Sequence, residues 1–210
     1  HARHGRIDYF FNNAGIGMGG AIQEHSLDDW RYVIDVNILG VVYGVHAMYP
    51  IMRQQGFGHI VNTASMAGQV PCPGLTAYAT TKHAVVGLTR SLRAESAGSG
   101  VRVSAFCPGV IQTEILNGGG LFGRAMGWAG NEPTSEQLAR AQPMDADAFA
   151  QTALDRVAAN DEIIILPRRW RTMARLDKFF PRIMSALTAK RFQKEASQLM
   201  AKAASATAGK

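Results

Sequence analysis

Four short apolar runs, at residues 7–12, 59–62, 102–107 and 162–166, alternate with longer stretches of helical spacing, and this alternation constrains the fold most. A short apolar run bounded by turn residues fits a strand buried on both faces. Such strands belong to parallel sheets whose crossovers are helices. Ser26, followed by Leu27, Asp28 and Asp29, reads as an N-cap with an acidic first turn. Residues 36–55 predict a second helix that stops before Gly56-Phe57-Gly58, and residues 76–97 a third that stops in the Gly98-Ser99-Gly100 turn. Residues 145–159 predict a fourth. The fold class is therefore α/β with a parallel sheet.

The 210 residues are enough for one sizeable core, and 47% hydrophobic with 18% charged residues belongs to a globular chain. Cys72 and Cys107 lie far apart, which argues against a disulfide framework or a zinc site and for a reducing, cytoplasmic setting. The histidines His46, His59 and His83 lack ligand spacing, so no metal is expected. No run of apolar residues is long enough to predict a membrane-spanning helix. The net charge of +6 is uneven: from Pro167 onward 11 Lys/Arg stand against 2 Asp/Glu, whereas the preceding residues hold 11 against 14. Basic character confined to a tail argues against nucleic acid as the partner.

In an open parallel sheet, ligands bind beyond the carboxyl ends of the strands. The residues there are Asn12-Asn13-Ala14-Gly15, Thr63-Ala64-Ser65 and Pro108-Gly109-Val110. Tyr78 and Lys82, four apart, fall on one face of the third helix. A phenol with an ordinary pKa near ~10 is a poor proton donor and acceptor at neutral pH, and an ammonium one turn away favours its ionised form. Ser65 follows the second strand, where its hydroxyl could bond a carbonyl or alkoxide oxygen. Asn37 sits inside a helix, where asparagine is disfavoured. It either holds a water in a proton relay or bends the helix by bonding to backbone.

Together Asn12-Asn13-Ala14-Gly15, Asn37, Ser65, Tyr78-Ala79-Thr80-Thr81-Lys82 and Pro108-Gly109-x-x-x-Thr113 resemble the ordered motif set of the short-chain dehydrogenase/reductase family. The resemblance is dense over residues 7–115 and fades in the tail. It implies a Rossmann-type doubly wound parallel sheet and hydride exchange between a nicotinamide cofactor, NAD or NADP, and a small alcohol or carbonyl substrate. Tyr78 would be the acid–base residue. Lys82 would bond the nicotinamide ribose and lower the Tyr78 pKa. Ser65 would orient the substrate carbonyl, and Asn37 would complete a water relay behind Lys82. Asn13, Ala14 and Gly15 would approach the cofactor, Pro108, Gly109 and Val110 would line the nicotinamide, and Thr113 would lie near its carboxamide or the pyrophosphate. Homodimers or homotetramers would form through the helices at 36–55 and 76–97.

Family members open with a strand, a glycine-rich turn and a helix that holds the pyrophosphate. The resemblance implies that this segment, with the first βαβαβ half and about 70 residues, would precede His1, and cofactor preference is not readable without it. Residues 1–166 are expected to form the carboxy-terminal part of one Rossmann-type domain, in which the glycine-rich stretch 112–142 is a substrate lid. Residues 167–210 form a basic amphipathic extension. Its apolar and basic residues fit a helix on an anionic membrane surface, a cover over an apolar pocket, or a subunit contact. The alternative to an enzyme is a catalytically silent fragment or a membrane-associated scaffold unable to bind dinucleotide.

Overall fold

The computed structural model describes residues 3–116, 124–125, 139 and 141–208. In chain order the elements are β1 (Tyr9–Asn12), β2 (Met18–Gly19), α1 (Leu27–Ile34), α2 (Gly40–Gln55), β3 (Gly58–Thr63), α3 (Thr76–Glu95) and β4 (Val101–Pro108). They continue with β5 (Arg124–Ala125), α4 (Ala146–Ala158), β6 (Ile163–Leu166), α5 (Trp170–Phe179) and α6 (Pro181–Ala208). Strands β1, β3, β4 and β6 form one parallel sheet in that spatial order. The two-residue strands β2 and β5 pair separately, a small ladder that the sequence pattern does not announce.

Each of the four apolar runs is a strand of this sheet. The first begins at Tyr9 rather than at residue 7 because the backbone of Ile7 is bonded to a side chain: its N–H donates to Gln55 Oε1 at 2.9 Å, and its carbonyl accepts from Gln55 Nε2 at 3.0 Å. Asp8 O still accepts from His59 N at 2.9 Å.

The first two predicted helices are one. Ser26 caps α1 as anticipated, with Asp29 N donating to its hydroxyl and its own N–H donating to Asp29 Oδ2 at 2.9 Å. Helix α1 then runs through a π-helical turn, Asp35–Leu39, directly into α2, and Gly40 N–H closes that turn onto Asp35 O. The resulting helix, Leu27–Gln55, is 29 residues long and by length and composition apolar enough to cross a membrane. Here it lies along the sheet with Val33, Asn37, Val41 and Met52 buried. It ends at Gly56, whose φ of 76° supplies the left-handed cap.

Helices α2 and α3 cover one face of the sheet. Contact is closest at Gly44, where an added Cβ would lie 1.9 Å from Asn12 Oδ1. Polar groups under this crossing are paired in sequence. Asn12 Nδ2 donates to Asn62 Oδ1 at 2.7 Å, Asn62 Nδ2 to Thr89 Oγ1 at 3.0 Å, and Thr89 Oγ1 to Val85 O at 2.7 Å. A buried amide left unpaired would cost about 1–3 kcal/mol, so the complete chain of partners fixes how α3 sits on the sheet. On the opposite face Val61, Phe106, Ile164 and Leu166 pack against Ala153 and Val157 of α4. After β6 the chain returns to the first face, where Trp170, Met173 and Ala174 of α5 pack on the cluster around Met66, Val70, Cys107 and Ile165.

Candidate active site

All three strand-end segments singled out in the sequence meet at the carboxyl edge of the sheet. Thr63, the last residue of β3, joins two of them: its hydroxyl donates to Asn13 Oδ1 at 3.0 Å, and its carbonyl accepts from Lys82 Nζ at 3.0 Å. The ammonium is buried and has three N–H groups, one of them used by Thr63. Gly15 faces it. A Cβ at Gly15 would lie 3.2 Å from Lys82 Nζ and 3.3 Å from Asn37 Oδ1, so a hydrogen at this position leaves the ammonium approachable from the cleft. Ala14 and Gly15 are exposed at the rim.

Asn37 explains the π turn. Its Oδ1 accepts from Ile16 N at 2.9 Å, while Nδ2 donates to Ile16 O at 3.0 Å and to Thr81 Oγ1 at 3.1 Å. The amide thus clips the loop after β1 onto the helix and onto α3, and π turns recur where a helix must present one residue in this way. Both amide hydrogens are spent and Oδ1 keeps one lone pair, so the side chain is first of all a clamp.

Tyr78 and Lys82 share a face of α3, with Lys82 Nζ 5.5 Å from the centre of the Tyr78 ring. Ser65 follows β3, and its hydroxyl oxygen accepts from Ala67 N at 3.1 Å to start a short 3-10 turn, Met66–Gly68. The turn packs tightly on α3, since a Cβ at Gly68 would lie 2.5 Å from Lys82 O. Ser65 is thereby brought close enough to the Tyr78 hydroxyl to influence its ionisation. Burial pushes the Tyr78 phenol up to about 12, and the Ser65 hydroxyl nearby works against this. Burial likewise lowers Lys82 to about 8. Sequence spacing leads one to expect that Lys82 lowers the phenol. In the protein by itself burial dominates and Lys82 is not among the groups that shift the phenol; its ammonium is directed at Thr63 O.

Three neighbours are not signalled by any motif. The thiols of Cys72 and Cys107 both act electrostatically on Tyr78, and both are raised to about 11 by burial. Gln69 Nε2 donates to Cys107 Sγ at 3.4 Å. The third neighbour is Trp170, whose indole lies over Gly109. A Cβ at Gly109 would lie 2.2 Å from Trp170 Nε1, and this buried N–H has no acceptor among the described residues. Spacing could not reveal Trp170, which reaches the site only because β6 ends beside Pro108 and α5 starts there.

Val110 and Thr113 complete the edge. Val110 O accepts from Met144 N at 3.0 Å, and Gln112 N donates to Met144 O at 2.9 Å, which pins together the two ends of the stretch read as a lid. Most of residues 112–142 lie outside the described residues. Thr113 is exposed and opens a 3-10 turn, Glu114–Leu116. A Cβ at Gly17 would lie 3.4 Å from Ile115 Cγ1, so this turn touches the loop after β1. This edge of the sheet brings together a buried ammonium behind a glycine, a buried indole N–H without an acceptor among the described residues, and the neighbouring hydroxyls of Ser65 and Tyr78. Such donors fit a ligand carrying hydroxyl and carbonyl oxygens, as a nicotinamide ribose does.

Residues 1–119 match the family described as short chain dehydrogenase. An uncharacterized oxidoreductase of Staphylococcus saprophyticus is 46% identical over 115 residues, which is 54% of this chain and 47% of that protein. Cyclohexanol dehydrogenase of Acinetobacter sp. is 41% identical over 113 residues, 53% of this chain and 45% of that protein. The crystal structure of a short chain dehydrogenase/reductase from Burkholderia phymatum in complex with NAD superposes with a TM-score of 0.71 at 33% identity, covering 85% of this chain and 68% of that one. The chain spans about half the length of the curated relatives it matches.

Proposed function

This chain belongs to the short-chain dehydrogenase family, and on that premise we propose that it carries the proton-handling site of an NAD(P)-dependent oxidoreductase acting on an alcohol or ketone. The observation that carries the reading is the cluster of Ser65, Tyr78 and buried Lys82 at the carboxyl edge of the parallel sheet. A cyclohexanol dehydrogenase among the relatives supports a carbinol or ketone as the reacting group.

Lys82 would hold the ribose hydroxyls of the cofactor, reached past Gly15. Asn13, Ala14 and Gly15 would approach the cofactor. Pro108, Gly109 and Val110 would line the nicotinamide, with Thr113 near its carboxamide or the pyrophosphate. When bound, the nicotinamide supplies or accepts the hydride. The chain's own residues do the rest. Ser65 and Tyr78 hold the substrate oxygen between their hydroxyls. With its phenol at about 12, Tyr78 is protonated at neutral pH and donates to the oxygen that gains charge as a ketone is reduced. In the oxidative direction the same oxygen of Tyr78 takes the proton back. A charged Lys82 beside the ring favours the phenolate left after donation. Asn37 keeps the loop that carries Gly15 in place, and any water relay behind Lys82 passes the remaining lone pair of its Oδ1.

A subunit contact is supported by the outer surface of α2 and α3. A shallow apolar groove of about 280 Å³ runs there, lined by Val42, Val45, His46, Tyr49, Pro50 and Leu88. The reading is tested by Tyr78→Phe in the full-length protein. Turnover of a ketone substrate should fall at least ~100-fold, the usual share of general acid–base catalysis, with cofactor affinity by fluorescence titration unchanged. Turnover near that of the unaltered protein would remove Tyr78 from its role.

A further inference from the structure

From the corner where α5 meets α6, we infer that the protein docks on an anionic lipid surface. Five large apolar side chains stand there in water: Leu176, Phe179, Phe180, Ile183 and Leu187 are 44–70% exposed. On α5 the inward face is already occupied, since Trp170, Met173 and Ala174 pack on the core. Leu176 and Phe179 point away from that contact. On α6, Ile183, Leu187, Lys190 and Lys194 recur at spacings of three and four and so form one stripe, apolar near the corner and basic further along.

Charge decides the occupant. Arg175, Lys178, Arg182, Lys190 and Lys194 surround the apolar corner, are exposed, and make no ion pair among the described residues. The sequence from 167 to 194 holds a single acidic residue, Asp177, and its Oδ1 is buried. The apolar side chains protrude from a helical corner and do not line a groove, which suits a soft, laterally continuous partner. Apolar side chains ringed by cations, with no exposed anion among them, match acyl chains beneath anionic headgroups. Arginine and lysine stems can lie along the apolar boundary while their charges stay at headgroup level.

The test is co-sedimentation of the full-length protein with vesicles of phosphatidylcholine containing roughly 30% phosphatidylserine, against phosphatidylcholine alone. Binding is expected on the anionic vesicles at low salt, with loss on neutral vesicles and at high salt. Phe179→Ser/Phe180→Ser should weaken partitioning at least ~10-fold, and Arg175→Gln/Lys178→Gln/Arg182→Gln about 100-fold. Circular dichroism checks that both variants keep the fold. Absence of binding to anionic vesicles at low salt overturns the inference, and so does equal binding by the serine variant. Sedimentation velocity covers the other occupant: a dimer that the serine substitutions dissolve, without vesicle binding, assigns the corner to a second copy and also overturns it. None of these readouts depends on catalysis, so their failure leaves the proposed reaction untouched.

Discussion

At the scale of single residues, burial governs the chemistry of the site more than proximity does. Tyr78 and Lys82 are moved in opposite directions by the same cause, loss of water around the charged form. The phenol therefore keeps its proton through the whole neutral range, and Lys82 is the group that titrates. Lys82 is charged below about 8 and neutral above it. The rate of ketone reduction is accordingly expected to be level near neutrality and to fall above about pH 8, approaching tenfold per pH unit if the ammonium is required. A pH–rate profile that stays level from about pH 7 to about pH 10 would show that the ammonium is dispensable. Tyr78, Lys82, Ser65 and Gly15 were legible in the sequence because their types and spacings are tied to fixed positions on a helix and at strand ends. Trp170 and the two cysteines were not, since their place near Tyr78 depends on which strand ends are neighbours.

Among the elements, the strands follow from their apolar runs, while the helices depend on a detail that periodicity does not carry. In the sequence a second helix is expected to begin at residue 36, separate from the one that Ser26 caps. In the folded chain residues 35–39 are a π turn inside one helix, held by Asn37 and Ile16. Strand β3 carries a second buried device on its other face. Ser104 Oγ donates to Asp161 O, so His59 Nε2, 2.8 Å away, must be the donor to Ser104, and His59 Nδ1 is left without a partner among the described residues. Burial, with Arg102 and Arg93 nearby, lowers His59 from 6.5 to about 4. The folded state therefore binds fewer protons than the unfolded chain between those two values, and stability falls as pH drops from about 6.5 toward 4. Urea midpoints measured across that window should decline with falling pH. His59→Gln, which keeps a donor for Ser104 and cannot titrate, should flatten the decline. An unchanged slope in that variant would place the acid sensitivity elsewhere.

For the whole molecule, Arg93 ties helix α3 on one face of the sheet to the turn after α4 on the other. Arg93, near the end of α3, donates to Val103 O at 2.6 Å on its own side, and to Asn160 Oδ1 at 3.1 Å and Asn160 O at 2.9 Å in the turn after α4. Arg93→Ala removes all three bonds and leaves the Val103 carbonyl, in its part-buried place, without this donor. It is expected to cost about 2 kcal/mol, read by calorimetry as a Tm lower by about 4–8 °C. A shift under about 1 °C would mean that water replaces the guanidinium. Layer order and strand direction were readable from the sequence at this scale, because buried parallel strands leave few alternatives. The clamp was not, since nothing in the spacing of Arg93 and Asn160 brings them together.

The π turn between α1 and α2 also has a genetic reading. A π turn holds about one residue more than the α turn it replaces, so its flanks keep the phase they would have in a helix one residue shorter. Removal of a single codon from the stretch encoding residues 35–39 would close the turn into regular helix with Val33 and Gly44 still seated on their neighbours. The clip between Asn37 and Ile16 would go with it. The scaffold and the alignment of its cleft are thus separable by one codon, and a lineage could gain or lose the second without rebuilding the first.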